Sequence, residues 1–125
     1  MSTPYSISGA FSYPPDASLP ADPIPVSGSG SFDHEASTVL KLSGSGSKVV
    51  DMGTIPATGA KALLIKLDAG SGVSPIDVTF SGADTPIQIA AGGFILVSNP
   101  APTTGVDAIT IDYTTGCTVR IWALG

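Results

Sequence analysis

The chain has 125 residues, enough for one domain. Its net charge is −5, and only 12% of its residues are charged against 42% hydrophobic. It has five basic residues, and none precedes Lys41. That excludes a sequence-independent nucleic-acid binder, which needs clustered cations to displace counterions, and argues equally against an anionic membrane surface. A single cysteine, Cys117, excludes an internal disulfide.

Residues 1–31 differ from the rest. Six of the eleven prolines fall here: Pro4, Pro14, Pro15, Pro20, Pro23 and Pro25. Proline removes ladder donors, and the segment closes on Ser27-Gly-Ser-Gly-Ser31, a flexible composition. Tyr5, Ile7, Phe11 and Tyr13 recur on odd positions, which suggests a short edge strand. The expectation is a Pro-rich extended N-terminal arm with too many prolines to build its own sheet, docking on a neighbouring surface through those four side chains. The start Met1-Ser-Thr-Pro-Tyr5 carries neither a basic nor an apolar leader region, so synthesis in a cytoplasm is expected.

His34 lies between Asp33 and Glu35. In an extended chain the carboxylates face away from the imidazole, and further ligands are not visible, so no metal site is expected. From Ser37 onward, apolar residues alternate between turn signals. The pattern predicts strands over Thr38–Leu42, Lys48–Met52, Lys61–Asp68, Ile76–Phe80, Pro86–Ala90 and Phe94–Val97. The run Gly44-Ser-Gly-Ser-Lys48 lacks the spacing of a phosphate loop, and no helical pattern follows it.

The last twenty residues read most clearly. Ile109, Ile111 and Tyr113 share one face of a strand, and Cys117, Val119, Ile121 and Ala123 share one face of the next. Thr114-Thr115-Gly116 between them suits a three-residue hairpin loop with glycine in the left-handed position. That loop sets Tyr113 opposite Cys117 and Ile109 opposite Ile121. It also places Trp122 opposite Ala108 on the outward face, as a candidate subunit contact, with Arg120 and Asp112 as a rim pair. Cys117 points inward as a small buried hydrophobe.

The fold expected from this pattern is all-β: a single antiparallel β-sandwich or jelly roll of about eight short strands over residues 32–125, preceded by the arm at 1–31. One His, one Cys and scattered carboxylates form no recognisable acid–base pair, so neither an enzyme nor a cofactor is expected.

The run from Ile76 to Pro100 (IDVTFSGADTPIQIAAGGFILVSNP) followed by Asp107 to Gly125 (DAITIDYTTGCTVRIWALG) resembles the small β-sandwich virion proteins of tailed bacteriophages. These are capsid decoration or cement proteins and the bases of head fibres or spikes. The resemblance lies in the layout: apolar strand, Ala-Gly-Gly, apolar strand, Pro-rich loop and a final hairpin ending Ala-Leu-Gly, over roughly residues 37–125. It implies cytoplasmic synthesis in a host, no cofactor, a trimeric or other symmetric assembly, and attachment to a capsid lattice at the virion surface. The partners expected are further copies of the chain and the major capsid protein or another virion protein. Nucleic acid and membrane are not among them. A carbohydrate- or receptor-binding β-sandwich module is the alternative. The candidate interface residues are Tyr5, Ile7, Phe11, Tyr13 and Trp122.

Overall fold

The structure, a computed structural model, describes residues 2–11, 24–81 and 85–125. These residues form ten strands, all paired antiparallel, and no helix. Against the expectation that prolines keep residues 1–31 from building a sheet, β1 (Thr3–Phe11) and β2 (Ile24–Phe32) pair with each other as a separate two-stranded ribbon, in which both strands are edges and proline is tolerated. β3 (Glu35–Leu42), β10 (Cys117–Leu124), β5 (Ala62–Leu67) and β8 (Phe94–Ser98) lie side by side, in that order, in one sheet. β4 (Gly46–Val49), β9 (Ile109–Tyr113), β6 (Ile76–Phe80) and β7 (Ile87–Ile89) make the second sheet, again in that order.

The inward residues of both four-stranded sheets belong to one hydrophobic core, a sandwich-like arrangement. Leu63, Ile65, Leu67, Val119 and Ile121 come from the first sheet; Ile76, Val78, Ile109 and Ile111 come from the second. All nine are essentially inaccessible to solvent. Each such side chain contributes about 1.5–3 kcal/mol of burial. Cys117 is buried in this core, and burial pushes its thiol pKa above the ordinary value.

The pairing of these eight strands follows one rule. β6 pairs with β7, β5 with β8, β4 with β9 and β3 with β10. The segment is one long antiparallel hairpin with its tip between β6 and β7. Rolling that hairpin adds the two ladders that fill out the sheets, β10 on β5 and β6 on β9. The loops nest in the same way: Ala60 N–H donates to Val106 O, and Gly105 N–H donates to Thr58 O.

The roll overturns the expected C-terminal hairpin. β9 and β10 are consecutive but lie in opposite sheets. Tyr113 is opposite Gly46 and Ile109 is opposite Phe80, while Cys117 is opposite Leu42 and Ile121 lies between Thr38 and Ile65. Gly116 is not among the glycines with positive φ, so the left-handed loop residue that a hairpin would use there is missing. Thr114–Gly116 instead carries the chain across the sandwich, and Thr115 Oγ1 accepts a hydrogen bond from Ser74 N–H at 2.9 Å. A strand that crosses between sheets still turns its apolar face inward, which is why the alternation fits both arrangements.

The Gly/Ser run 27–31 also differs from its flexible reading, because it is the body of β2. Ser27, Ser29 and Ser31 share one face of the ribbon. Gly28 and Gly30 share the other, opposite Ile7 and Tyr5. The Tyr5 ring lies over Gly30, where an added Cβ would meet its atoms at 2.9–3.1 Å. Glycine there makes room for the aromatic ring, so the sequence forms an amphipathic ribbon. Elsewhere the strand ends shift: β3 begins earlier than expected, and Val50 and Met52 enter the core after β4 has ended.

Candidate functional site

The surface that stands out is the outer face of the sheet β3-β10-β5-β8. Register places Ser37, Trp122, Leu64 and Leu96 in one row across the four strands. The next row is Val39, Arg120, Lys66 and Phe94; on the other side lie Glu35, Leu124, Ala62 and Ser98. Residues that alternate away from the core would ordinarily be polar. Here Phe94 is 63% exposed, Val39 47%, Trp122 41% and Leu96 40%. Trp122 therefore neighbours Ser37 and Leu64, not Ala108.

The ribbon lies against this face. Tyr5 Oη donates to Lys61 O at 3.3 Å, and Lys61 Nζ donates to Ser31 O at 2.9 Å. Gly28 comes so close to β8 that an added Cβ would sit 2.6 Å from Ser98 Oγ. The rings of Tyr5 and Phe32 are tilted at 48° with centroids 6.5 Å apart. At the base of the ribbon, Asp33 N–H and His34 N–H both donate to Gly125 O, at 2.8 and 2.7 Å. Those bonds tie the chain leaving β2 to the end of β10. They also account for the Asp33-His34-Glu35 run, which serves as a backbone junction.

Between ribbon and sheet runs a groove of about 450 Å³, lined by Ile7, Ala62, Leu64, Leu96, Trp122 and Leu124. A second hollow of about 330 Å³ continues past Ile7 to Ala10, Val26 and Phe94. Two of the sequence candidates, Ile7 and Trp122, thus line one groove. Tyr5 is half-buried beside it. Phe11 ends β1, and Tyr13 lies outside the described residues. The sequence reading missed Leu64, Phe94, Leu96 and Val39 as members of this surface. Leu64 had a signal, since it interrupts alternation on a central strand. The others needed the strand order.

Arg120 pairs with Asp68, not Asp112: its Nε lies 3.0 and 3.1 Å from the two carboxylate oxygens. The hydrogen bond from Arg120 holds the Asp68 carboxyl below its usual pKa. Among the described residues, no three His, Cys, Asp or Glu side chains come together as a metal site, and no buried side-chain nitrogen or oxygen lacks a hydrogen-bond partner. The arrangement is a partly exposed apolar surface with a groove beside it. No family model, no curated protein and no solved structure matches the chain.

Proposed function

We propose that the chain is a non-enzymatic virion structural protein, a capsid decoration or cement protein of the tailed-phage kind. On this reading it works without a cofactor as a symmetric homo-oligomer, a trimer, at the virion surface. It binds the major capsid protein or another virion protein. The nested strand pairing supports reading the sandwich as a jelly roll, an arrangement found in viral capsid and lectin domains. Fold alone does not assign function. The observation that carries the reading is the apolar outer face: Trp122, Leu96, Phe94 and Val39 are side chains that a lone chain leaves in water and an assembly covers. Trp is among the residues that dominate buried interface centres.

Two measurements test this. Mass spectrometry of gradient-purified virions should find the chain at a fixed stoichiometry to the major capsid protein; absence from particles rejects the reading. Trp122→Ala should lower the mass of the purified assembly in sedimentation while leaving the strand signal in circular dichroism unchanged. The alternative, a carbohydrate- or receptor-binding module, draws on the exposed Trp122 ring at the rim of the groove. It predicts quenching of Trp122 fluorescence by a glycan, with no change in assembly mass.

A further inference from the structure

Every open sheet has edge strands whose unpaired backbone groups can template another chain. Among the described residues, the two four-stranded sheets have four such edges: β3, β8, β4 and β7. β7 has three residues and β4 has four. β8 has five, and the ribbon's Gly28 sits against Ser98 at its end. β3 has eight residues, contains no proline, and has β10 as its one ladder neighbour.

The hydrogen-bond phase of β3 follows from its first pair. His34 and Gly125 exchange both backbone hydrogen bonds, each at 2.7 Å. The β3–β10 register continues from there through Ala36–Ala123, Thr38–Ile121 and Leu40–Val119. In an antiparallel ladder, alternate residues form the mutually bonded pairs. The even-numbered residues of β3 therefore direct N–H and C=O toward β10. Glu35, Ser37, Val39 and Lys41 direct theirs toward the free edge. The same four side chains share the outward face and are exposed.

We propose that this edge pairs antiparallel with the β3 edge of a second copy of the chain, about a two-fold axis at Thr38. In that register Glu35 lies opposite Lys41 of the other copy, and Ser37 lies opposite Val39. Both are pairs of residues that present backbone groups to the free edge, so hydrogen bonding and side-chain placement agree. The two-fold makes the charge pair occur twice, which is the self-complementarity of an isologous contact. Sliding by one pair of residues one way sets Val39 opposite itself and leaves both charges unmatched; the other way sets Ser37 opposite itself, Glu35 opposite Val39 and Lys41 opposite Asp33, whose N–H is already bonded to Gly125 O. Two charge pairs together with the backbone groups free at the edge select the register, and the charges select the partner. Glu35 is already held on this edge, since its Oε1 accepts a hydrogen bond from Ser37 Oγ at 2.9 Å. Lys41 has no ion-pair partner among the described residues. The contact joins two sheets into one of eight strands. It rests on strand geometry and not on the virion reading; together with a trimer on the Trp122 face, a closed assembly would be a hexamer.

The test is sedimentation velocity on the purified full chain at low ionic strength. Wild type should have an even number of subunits. Lys41→Glu sets two carboxylates against each other at both ends of the contact, Glu35→Lys sets two ammonium groups there, and each should halve the mass. Mixing the two variants puts Lys opposite Glu at every position again and should restore the full mass. That result cannot come from misfolded protein. Val39→Pro removes an N–H that has no partner among the described residues, so it should halve the mass without moving the thermal transition. Added salt should weaken the wild-type contact. A wild-type monomer or odd-numbered oligomer overturns the proposal. So does a mass insensitive to Lys41→Glu and Val39→Pro, or a mixture that stays dissociated.

Discussion

The ribbon and the rolled sandwich are built from the same kind of strand and are held by different forces. In the sandwich, each central strand hides one full face: Leu63, Ile65 and Leu67 in β5 and Val119, Ile121 and Ala123 in β10 are essentially closed to water. The ribbon's described residues include no fully buried side chain. Its best-covered residues, Tyr5, Ile7 and Phe32, are only half-buried. Its attachments are two hydrogen bonds to Lys61, a glycine-lined approach to Ser98, and the junction at Gly125. Apolar burial scales with area removed from water, so the sandwich carries the global stability. The ribbon opens at a lower free energy, as weakly buried segments do. It also acts as a partial cover for an apolar face that the sandwich leaves exposed.

The largest effect should come from the core. Ile65 sits between Ile121 and Ile95 in the first sheet and is completely buried. Ile65→Ala should cost about 2–5 kcal/mol in urea unfolding, since the cavity adds to the lost transfer energy. Gly59→Ala should cost about 3 kcal/mol. Its φ is +103°, and a Cβ there would lie 2.4 Å from Gly105 Cα. This position is where the two nested loops of the roll touch, so a neutral result would show that the loops can separate without loosening the fold.

Removing the ribbon should do less. A chain of residues 33–125 keeps the junction with Gly125. It should unfold in one cooperative transition, lower by about 1–2 kcal/mol for the uncovered Tyr5 and Ile7 contacts. Trp122 is the only tryptophan, so its emission should move to the red as the groove opens. Loss of cooperative unfolding would instead make the ribbon part of the core.

The smallest effect is the partly exposed ion pair. The folded pKa of Asp68 is depressed by its hydrogen bond from Arg120. Its stabilisation is therefore full above the unfolded value of about 3.9 and is lost as pH falls through the lower folded value. Asp68→Asn should leave the urea midpoint at pH 7 nearly unchanged and flatten its acid fall below about pH 4. An unchanged acid fall would show that the pair contributes nothing.

Much of the fold was legible in the chain before its structure, and the limit of that legibility has a physical cause. Alternation along Ile109–Tyr113 and Cys117–Ala123 reports that one face of each strand is buried. It therefore placed Ile109, Ile111, Cys117, Val119 and Ile121 in the core, where they are. It carries no information about which strand supplies the neighbouring hydrogen bonds. A three-residue link can close a hairpin or cross a sandwich, and both keep the same faces inward. The choice was made by long-range pairing, in which β10 bonds to β3 and β5 at separations that no local pattern records. The ribbon shows the same division. Serine and glycine at alternate positions read as flexible by composition, and form a strand whose glycine face takes the Tyr5 ring at Gly30 and the close approach of Ser98 at Gly28. Trp122 could be seen to point outward from its own strand. Its neighbours Leu64, Leu96 and Ile7 come from three other strands, and only packing those strands together placed them beside it.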